Sequence, residues 1–343
     1  MIYIRADANP SIGMGHIMRC LSIADAFHDL GHAVTFILAD DGAEKLVINR
    51  GYNAIVLHSD YQVMEKELTL WDSQGVLSSE GEDIIIVDSY FVSPFYLSSL
   101  GRRVGNGKLV YIDDLAAFPY PIDVLVNYNV YGPGLDYHGL YSNFDAKEPK
   151  IILGCFYTPL RKMFRGIERR MQERKVREVL ISTGGADPEH IALSIVKSEP
   201  KNYKYHILIG AMSPDKDEIE RLAGENGHIV LHENVADMRR VISHCDIAVS
   251  AAGSTLYEIC ACGVPLITYI LADNQIRGAE AFQKLGVAVN LGDMRKENSP
   301  AEKVFTAIEE LSYDYERRCI VGNKMQNMID GFGADRMVKE ILG

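Results

Sequence analysis

Short apolar runs of strand length alternate with longer helical patterns along almost the whole chain. In the first half, 2–5, 33–38, 54–57, 84–88, 109–113 and 124–127 read as strands, and intervening stretches such as 18–30 and 42–50 read as helices. The second half repeats the pattern with strands at 179–183, 205–209, 229–231, 247–250 and 266–269, divided by helices that include 187–196, 215–223 and 254–262. Strands alternating with helices imply parallel sheets covered on both faces. Residues 127–159, rich in Tyr, Gly, Asn and Pro, have weak periodicity. The expected layout is therefore a Rossmann-like domain over 1–150 and a second over 151–343. The final helices, from about residue 301, are candidates to cross back onto the first domain.

Ligands of open parallel sheets bind beyond the carboxyl ends of the strands. Several residues there are polar where a plain core would not need them: Asp7, Asp88-Ser89-Tyr90, Asp113-Asp114, Asn127, Thr183-Gly184-Gly185 and Ser250-Ala251-Ala252-Gly253. The two halves are expected to face one another across a cleft. The most telling stretch is Arg5-Ala6-Asp7-Ala8-Asn9-Pro10-Ser11-Ile12-Gly13-Met14-Gly15-His16, a glycine-containing turn that carries the first strand into the first helix. The free amides of a helix N-terminus suit an anion, and the same field disfavours imidazolium, so His16 reads as a neutral base at the helix start.

Composition narrows the setting. With 343 residues, 47% of them apolar, the chain can bury two cores. There is no basic, then apolar leader and no run of about 18 apolar residues, so a cytoplasmic protein away from membranes is expected. Six cysteines without a CxxC pair read as buried thiols rather than disulfides or a zinc site, and no histidine pair has metal-ligand spacing along a helix. Neither a metal nor a cofactor is expected. A net charge of -12 argues against nucleic acid as a partner, although backbone amides can still hold a nucleotide. A monomer is the default oligomeric state.

A second candidate site follows the strand at 247–250, where Gly253-Ser254-Thr255 opens a helix bearing Glu258 one turn in. Gly253 lets a ligand approach the backbone, Ser254 and Thr255 add hydroxyls to free amides, and Glu258 could accept from ribose hydroxyls. In Thr183-Gly184-Gly185-Ala186-Asp187-Pro188, Asp187 reads as an N-cap with Pro188 at the first helical position. Each residue also has a plainer reading. His16 alone is as well explained as a satisfied structural histidine, Glu258 as a capping carboxylate, Asp88 and Asp113 as strand or helix ends, Tyr90 as edge packing, and Arg5 and Arg19 as surface charges or ion pairs with Asp7.

Taken in order, Arg5-Ala6-Asp7, Ile12 through Leu21, Ile86-Val87-Asp88-Ser89-Tyr90, Tyr111-Ile112-Asp113-Asp114, Leu153-Gly154, Tyr157-Thr158-Pro159-Leu160-Arg161, Ser182 through Pro188 and Asp273-Asn274-Gln275 resemble the PseG/SpsG family. The resemblance implies two Rossmann-like domains in the GT-B architecture, related in the second domain to MurG-type glycosyltransferases. It also implies metal-independent hydrolysis of UDP-2,4-diacetamido-2,4,6-trideoxy-β-L-altropyranose with inversion, on the way to pseudaminic acid. His16 matches the family's general base. Gly253, Ser254, Thr255 and Glu258 match its nucleotide-binding segment, Asn274 a polar residue near the substrate, and Arg161 a substrate or nucleotide contact. Gly13, Gly15, Gly184 and Gly185 line the same loops, and Asp7, Asp88, Tyr90 and Asp113 are candidates to orient the base or touch the sugar. One departure is that the family's Leu-Arg often continues to Glu-Phe, whereas Arg161 is followed by Lys162-Met163-Phe164. A MurG-like glycosyltransferase, a hydrolase of a related UDP-diamino sugar and a non-catalytic nucleotide-sugar binder are the other readings.

Overall fold

The computed structural model of the chain describes residues 1–9, 12–76, 82–143, 147–185, 187–210 and 213–343, so Pro10, Ser11 and Ala186 of the motifs above lie outside the described residues. The chain divides into two compact units, one made of Met1–Lys162 with Phe332–Gly343, the other of Met163–Gly331.

The first unit holds seven parallel strands: β1 (Ile2–Ala6), β2 (Val34–Leu38), β3 (Asn53–Val56), β4 (Ile84–Asp88), β5 (Lys108–Ile112), β6 (Val124–Asn127) and β7 (Lys150–Leu153). Their order across the sheet is β3-β2-β1-β4-β5-β6-β7. The unit continues past residue 150 because β7 pairs with β6 and completes the sheet. The central strands are Ile- and Val-rich and buried, with only Tyr3 of β1 partly exposed, as strands covered on both faces must be. The helix Gly333–Leu342 returns to this unit, where the Lys108 ammonium donates to the last-turn carbonyls of Ile341 and Leu342 at 2.7 and 3.0 Å. A cation at a helix C-terminus satisfies carbonyls that lack intrahelical partners.

The second unit holds six parallel strands: β8 (Glu178–Ser182), β9 (Lys204–Leu208), β10 (Ile229–His232), β11 (Ile247–Ala251), β12 (Leu266–Ile270) and β13 (Ala288–Asp293). They lie in the order β10-β9-β8-β11-β12-β13. The long helices Pro300–Tyr313 and Tyr315–Met328 stay with this unit. In each sheet the strand order reverses once, between β1 and β4 and between β8 and β11. Such a reversal opens a crevice at the carboxyl edge, where ligands of this fold class bind.

Beneath the first crevice, Arg5 is fully buried on β1 and is not a surface charge. Its guanidinium donates to both oxygens of Glu67, at 2.8 and 2.6 Å, and to Asp7 at 2.5 Å, while the second Asp7 oxygen accepts from the Ala39 amide at 2.7 Å. Removing one partner of a buried ion pair leaves an uncompensated charge. Glu67→Ala should therefore cost about 3–5 kcal/mol in urea denaturation; a change near zero would mean that Asp7 alone suffices for Arg5.

Candidate active site

The loop after β1 turns at Gly13, whose φ of +78° favours glycine, and its amide donates to the Asn9 carbonyl at 2.8 Å. Gly15 then opens the helix Gly15–Asp29, three residues earlier than periodicity suggested, with His16 in the first turn. His16 is 7% exposed and Asp88, at the end of neighbouring β4, is 1% exposed. Nδ1 of His16 lies 2.7 Å from Oδ1 of Asp88. A carboxylate only accepts, so Nδ1 carries the proton and Nε2 is the nitrogen left to take another. The Arg19 guanidinium also stands 3.0 Å from Nδ1, a charge proximity rather than a second hydrogen bond, since Nδ1 directs its proton to Asp88.

Arg19, one turn beyond His16 on the same helix face, donates through Nε to Asp88 Oδ2 at 2.5 Å and through Nη2 to Oδ1. Its Nη1 reaches the Tyr128 hydroxyl at 2.7 Å and Asp114 at 3.3 Å. Burial opposes charge on Asp88, but the Arg19 guanidinium and then His16 outweigh it and hold the carboxyl below the ordinary carboxylate range. Tyr90 sets its ring edge-on to His16 at 4.7 Å and donates its hydroxyl to Asp114 at 2.8 Å. Burial and then the Asp114 charge push the Tyr90 phenol up, so it remains a donor. His16, Asp88 and Tyr90 line a recess with Asp7, Ile12, Ser89 and Phe91; its volume of about 10 Å³ is room for one water.

Asp113 stands apart from this group. Its two oxygens accept from the Leu115 and Ala116 amides and from the Tyr120 and Tyr137 hydroxyls, at 3.0, 2.7, 2.7 and 2.5 Å. It organises the turn after β5 and has no contact with the imidazole. Asp7 lines the recess, with both oxygens engaged by Arg5 and Ala39. Arg161 lies partly buried in the loop after Pro159.

In the second unit, the ends of adjacent β8, β11 and β12 bring the remaining candidates to one sheet edge. Gly184 adopts φ +88°, and a Cβ on Gly210 would sit 2.2 Å from the Gly185 carbonyl oxygen, so the two loops meet backbone to backbone. Beside them, Gly253 and Ser254 precede the helix Thr255–Cys262 without a side-chain cap, and no neighbour crowds the Gly253 Cα. Glu258 is partly buried one turn in, and Asn274 is exposed in the short turn Asp273–Gln275 after β12. Pro188 is not at the first helical position: the helix is Ile191–Lys197, and Asp187 caps it from farther back, accepting from the Ile191 and Ala192 amides at 3.1 and 2.9 Å. Arg19 is neither a surface charge nor a partner of Asp7: it pairs with Asp88, and Asp114 meets the group through Arg19 and Tyr90 rather than through the imidazole. The available signal was spacing, since position 19 shares a helix face with His16.

A glycosyltransferase family 28 C-terminal domain matches residues 165–328. The chain is 20% identical over 293 residues to protein MJ1062 of Methanocaldococcus jannaschii, a match covering 80% of this chain and 56% of that protein. It is 25% identical over 240 residues to the UDP-2,4-diacetamido-2,4,6-trideoxy-β-L-altropyranose hydrolase of Campylobacter jejuni, covering 69% of this chain and 80% of the relative. With the spore coat polysaccharide biosynthesis protein SpsG of Bacillus subtilis it shares 22% over 347 residues, 97% and 95% of the two chains. The MurG structure from Acinetobacter baumannii superposes with a TM-score of 0.67 at 13% identity over 99% of both chains. The fold is GT-B, and the resemblance to the PseG/SpsG family extends well beyond the motifs.

The depressed Asp88 carboxyl gives a pH signature. A group whose folded pKa lies below its unfolded value contributes stability above the unfolded pKa and loses it as pH falls toward the folded one. The stability advantage of the native chain over Asp88→Asn should hold from pH 8 to 5 and shrink below about pH 4, where an unfolded Asp protonates. An advantage already fading between pH 7 and 5 would show that Arg19 does not secure the charge.

Proposed function

We propose that this chain hydrolyses a UDP-activated amino-deoxy sugar, UDP-2,4-diacetamido-2,4,6-trideoxy-β-L-altropyranose, by metal-independent attack of water at the anomeric carbon with inversion, in pseudaminic acid biosynthesis. The observation that carries this reading is the His16–Asp88 pair: a histidine with its Nδ1 proton committed to a buried carboxylate, facing a recess of one-water size. The similarity to the C. jejuni hydrolase supports the choice of substrate.

In this mechanism water donates to His16 Nε2 and attacks the anomeric carbon as the bond to UDP breaks. Nε2 takes the proton, and Asp88 steadies the imidazolium without being protonated itself. UDP leaves as an anion and needs electrostatic stabilisation rather than an acid. The amides of Ser254 and Thr255 receive the diphosphate beside Gly253, whose own amide donates to the Ala251 carbonyl at 2.8 Å and whose missing side chain leaves the approach open; Glu258 accepts from the ribose, and Gly184, Gly185, Arg161 and Asn274 complete the nucleotide and sugar contacts. Gly13 and Gly15 shape the loop that presents His16.

A UDP-sugar glycosyltransferase is the second reading, favoured by the family 28 match and the likeness to MurG. Purified chain incubated with the UDP-sugar in EDTA, without an acceptor, separates the two: prompt UDP release supports hydrolysis, and release only after an acceptor is added overturns it. His16→Asn should lower kcat by roughly 10²–10⁴-fold while UDP still binds. Asp88→Asn should lower kcat with little change in KM, because it frees the imidazole tautomer. Glu258→Ala should weaken UDP binding, read by calorimetry, roughly tenfold, the share of one charge-assisted hydrogen bond.

A further inference from the structure

We propose that Glu178, His206 and His244 form a binding site for a divalent transition-metal ion, with Zn²⁺ as its reference occupant, on the second unit's sheet. Glu178 opens β8, and Leu180, two residues on, is in register with His206 of β9, so Glu178 and His206 project from the same face. Val230 of β10 is in register with His206, which puts His232, two residues along, on that face as well. The opposite face, through Val179, Ile181, Tyr205, Ile207 and Ile229, packs into the main hydrophobic core. His244 ends the helix Met238–His244, just before β11.

The geometry points to a metal rather than to one ion pair. One ligand atom each from Glu178, His206 and His244 lies within 4.8 Å of the others. His206 Nε2 is 2.8 Å from Glu178 Oε2, and His244 Nε2 is 3.8 Å from Oε1 of the same carboxylate. A tetrahedral ion with bonds of about 2.0–2.1 Å holds its ligands roughly 3.4 Å apart, inside the 4.8 Å that encloses the three ligand atoms. Two imidazoles and one carboxylate suit Zn²⁺ and neighbouring first-row ions, and leave a fourth position for water. His206 is buried, so its ring is already placed, whereas the His244 side chain is 60% exposed and free to close on the ion.

His232 supplies the outer partner such a ligand needs. Its Nε2 lies 2.8 Å from His206 Nδ1, and the rings are stacked at 5.1 Å. With the metal on His206 Nε2, the one proton of neutral His206 resides on Nδ1 and is donated to His232 Nε2, while His232 keeps its own proton on Nδ1. The site is separate from the proposed anion cradle, because Glu178 begins β8 and Gly184 follows its far end, roughly 20 Å along the strand at about 3.3 Å per residue.

The test uses the full chain, dialysed against a chelator and then titrated with ZnCl₂ by calorimetry and with CoCl₂ by visible d–d absorption. One equivalent per chain, with a higher Tm when zinc is present, is expected. His244→Ala, at an exposed position, and Glu178→Gln should each weaken binding at least tenfold and abolish the Tm shift. His232→Ala should weaken it about 10–100-fold as an outer partner. Absence of stoichiometric binding, or affinity unchanged in both His244→Ala and Glu178→Gln, would overturn the proposal.

Discussion

A carboxylate at the inner end of a buried strand has to be met by positive charge or proton donors, and the way Asp88 is met fixes the geometry around it. Its partners His16 and Arg19 come from adjacent turns of a single helix, and Cys20 adds a thiol contact at 3.4 Å. The pairing therefore pins the start of that helix to the end of β4, across the reversal of strand order. From Arg19 the network runs on through Tyr128 and Asp114 to Tyr90 and Asn129, so the loops after β4, β5 and β6 share one set of hydrogen bonds. A buried polar network with its members satisfied is rigid, and each member restrains the next. The orientation of His16 thus depends on residues drawn from three strand ends.

The corresponding edge of the second sheet is built differently. In the proposed reaction a general base must point in one direction, which calls for locked side chains, whereas an anion can be held by backbone amides if nothing crowds them. The loops there meet through glycine, as at Gly185 and Gly210, and the helix Thr255–Cys262 starts without a side-chain cap. The Leu256 and Tyr257 amides already bond the Gly253 and Ser254 carbonyls, so an incoming acceptor would be met by the amides of Ser254 and Thr255.

Local patterns in the sequence carry the parts of this structure that are locally determined. The Ile- and Val-rich runs at 84–88 and 247–250 are legible because strands buried on both faces must be apolar. The glycine turn before His16 is legible because the chain needs φ > 0 at Gly13. β7 and β13 are harder to read: β7 sits in the Tyr- and Gly-rich stretch, and β13 is an edge strand with a polar share. Arg19 was open to a surface reading because nothing in a linear sequence says that β4 ends against it. Asp113 and Asp88 look alike as strand-end acids, and only the donors that surround each tell them apart. Glu178, His206, His232 and His244 are still less visible, since strand pairing and the placement of the helix Met238–His244 make them neighbours.

The first unit is discontinuous along the chain, and this affects how a ribosome would deliver it. All seven of its strands precede residue 154, yet the helix Gly333–Leu342 and its lysine-capped carbonyls emerge only after the whole of Met163–Gly331. The Gly333–Leu342 helix packs against the Gly15–Asp29 helix, so the second unit can fold without interruption while the first waits with that flank uncovered. Nascent chains would pass through an interval in which the unit translated first is the one completed last.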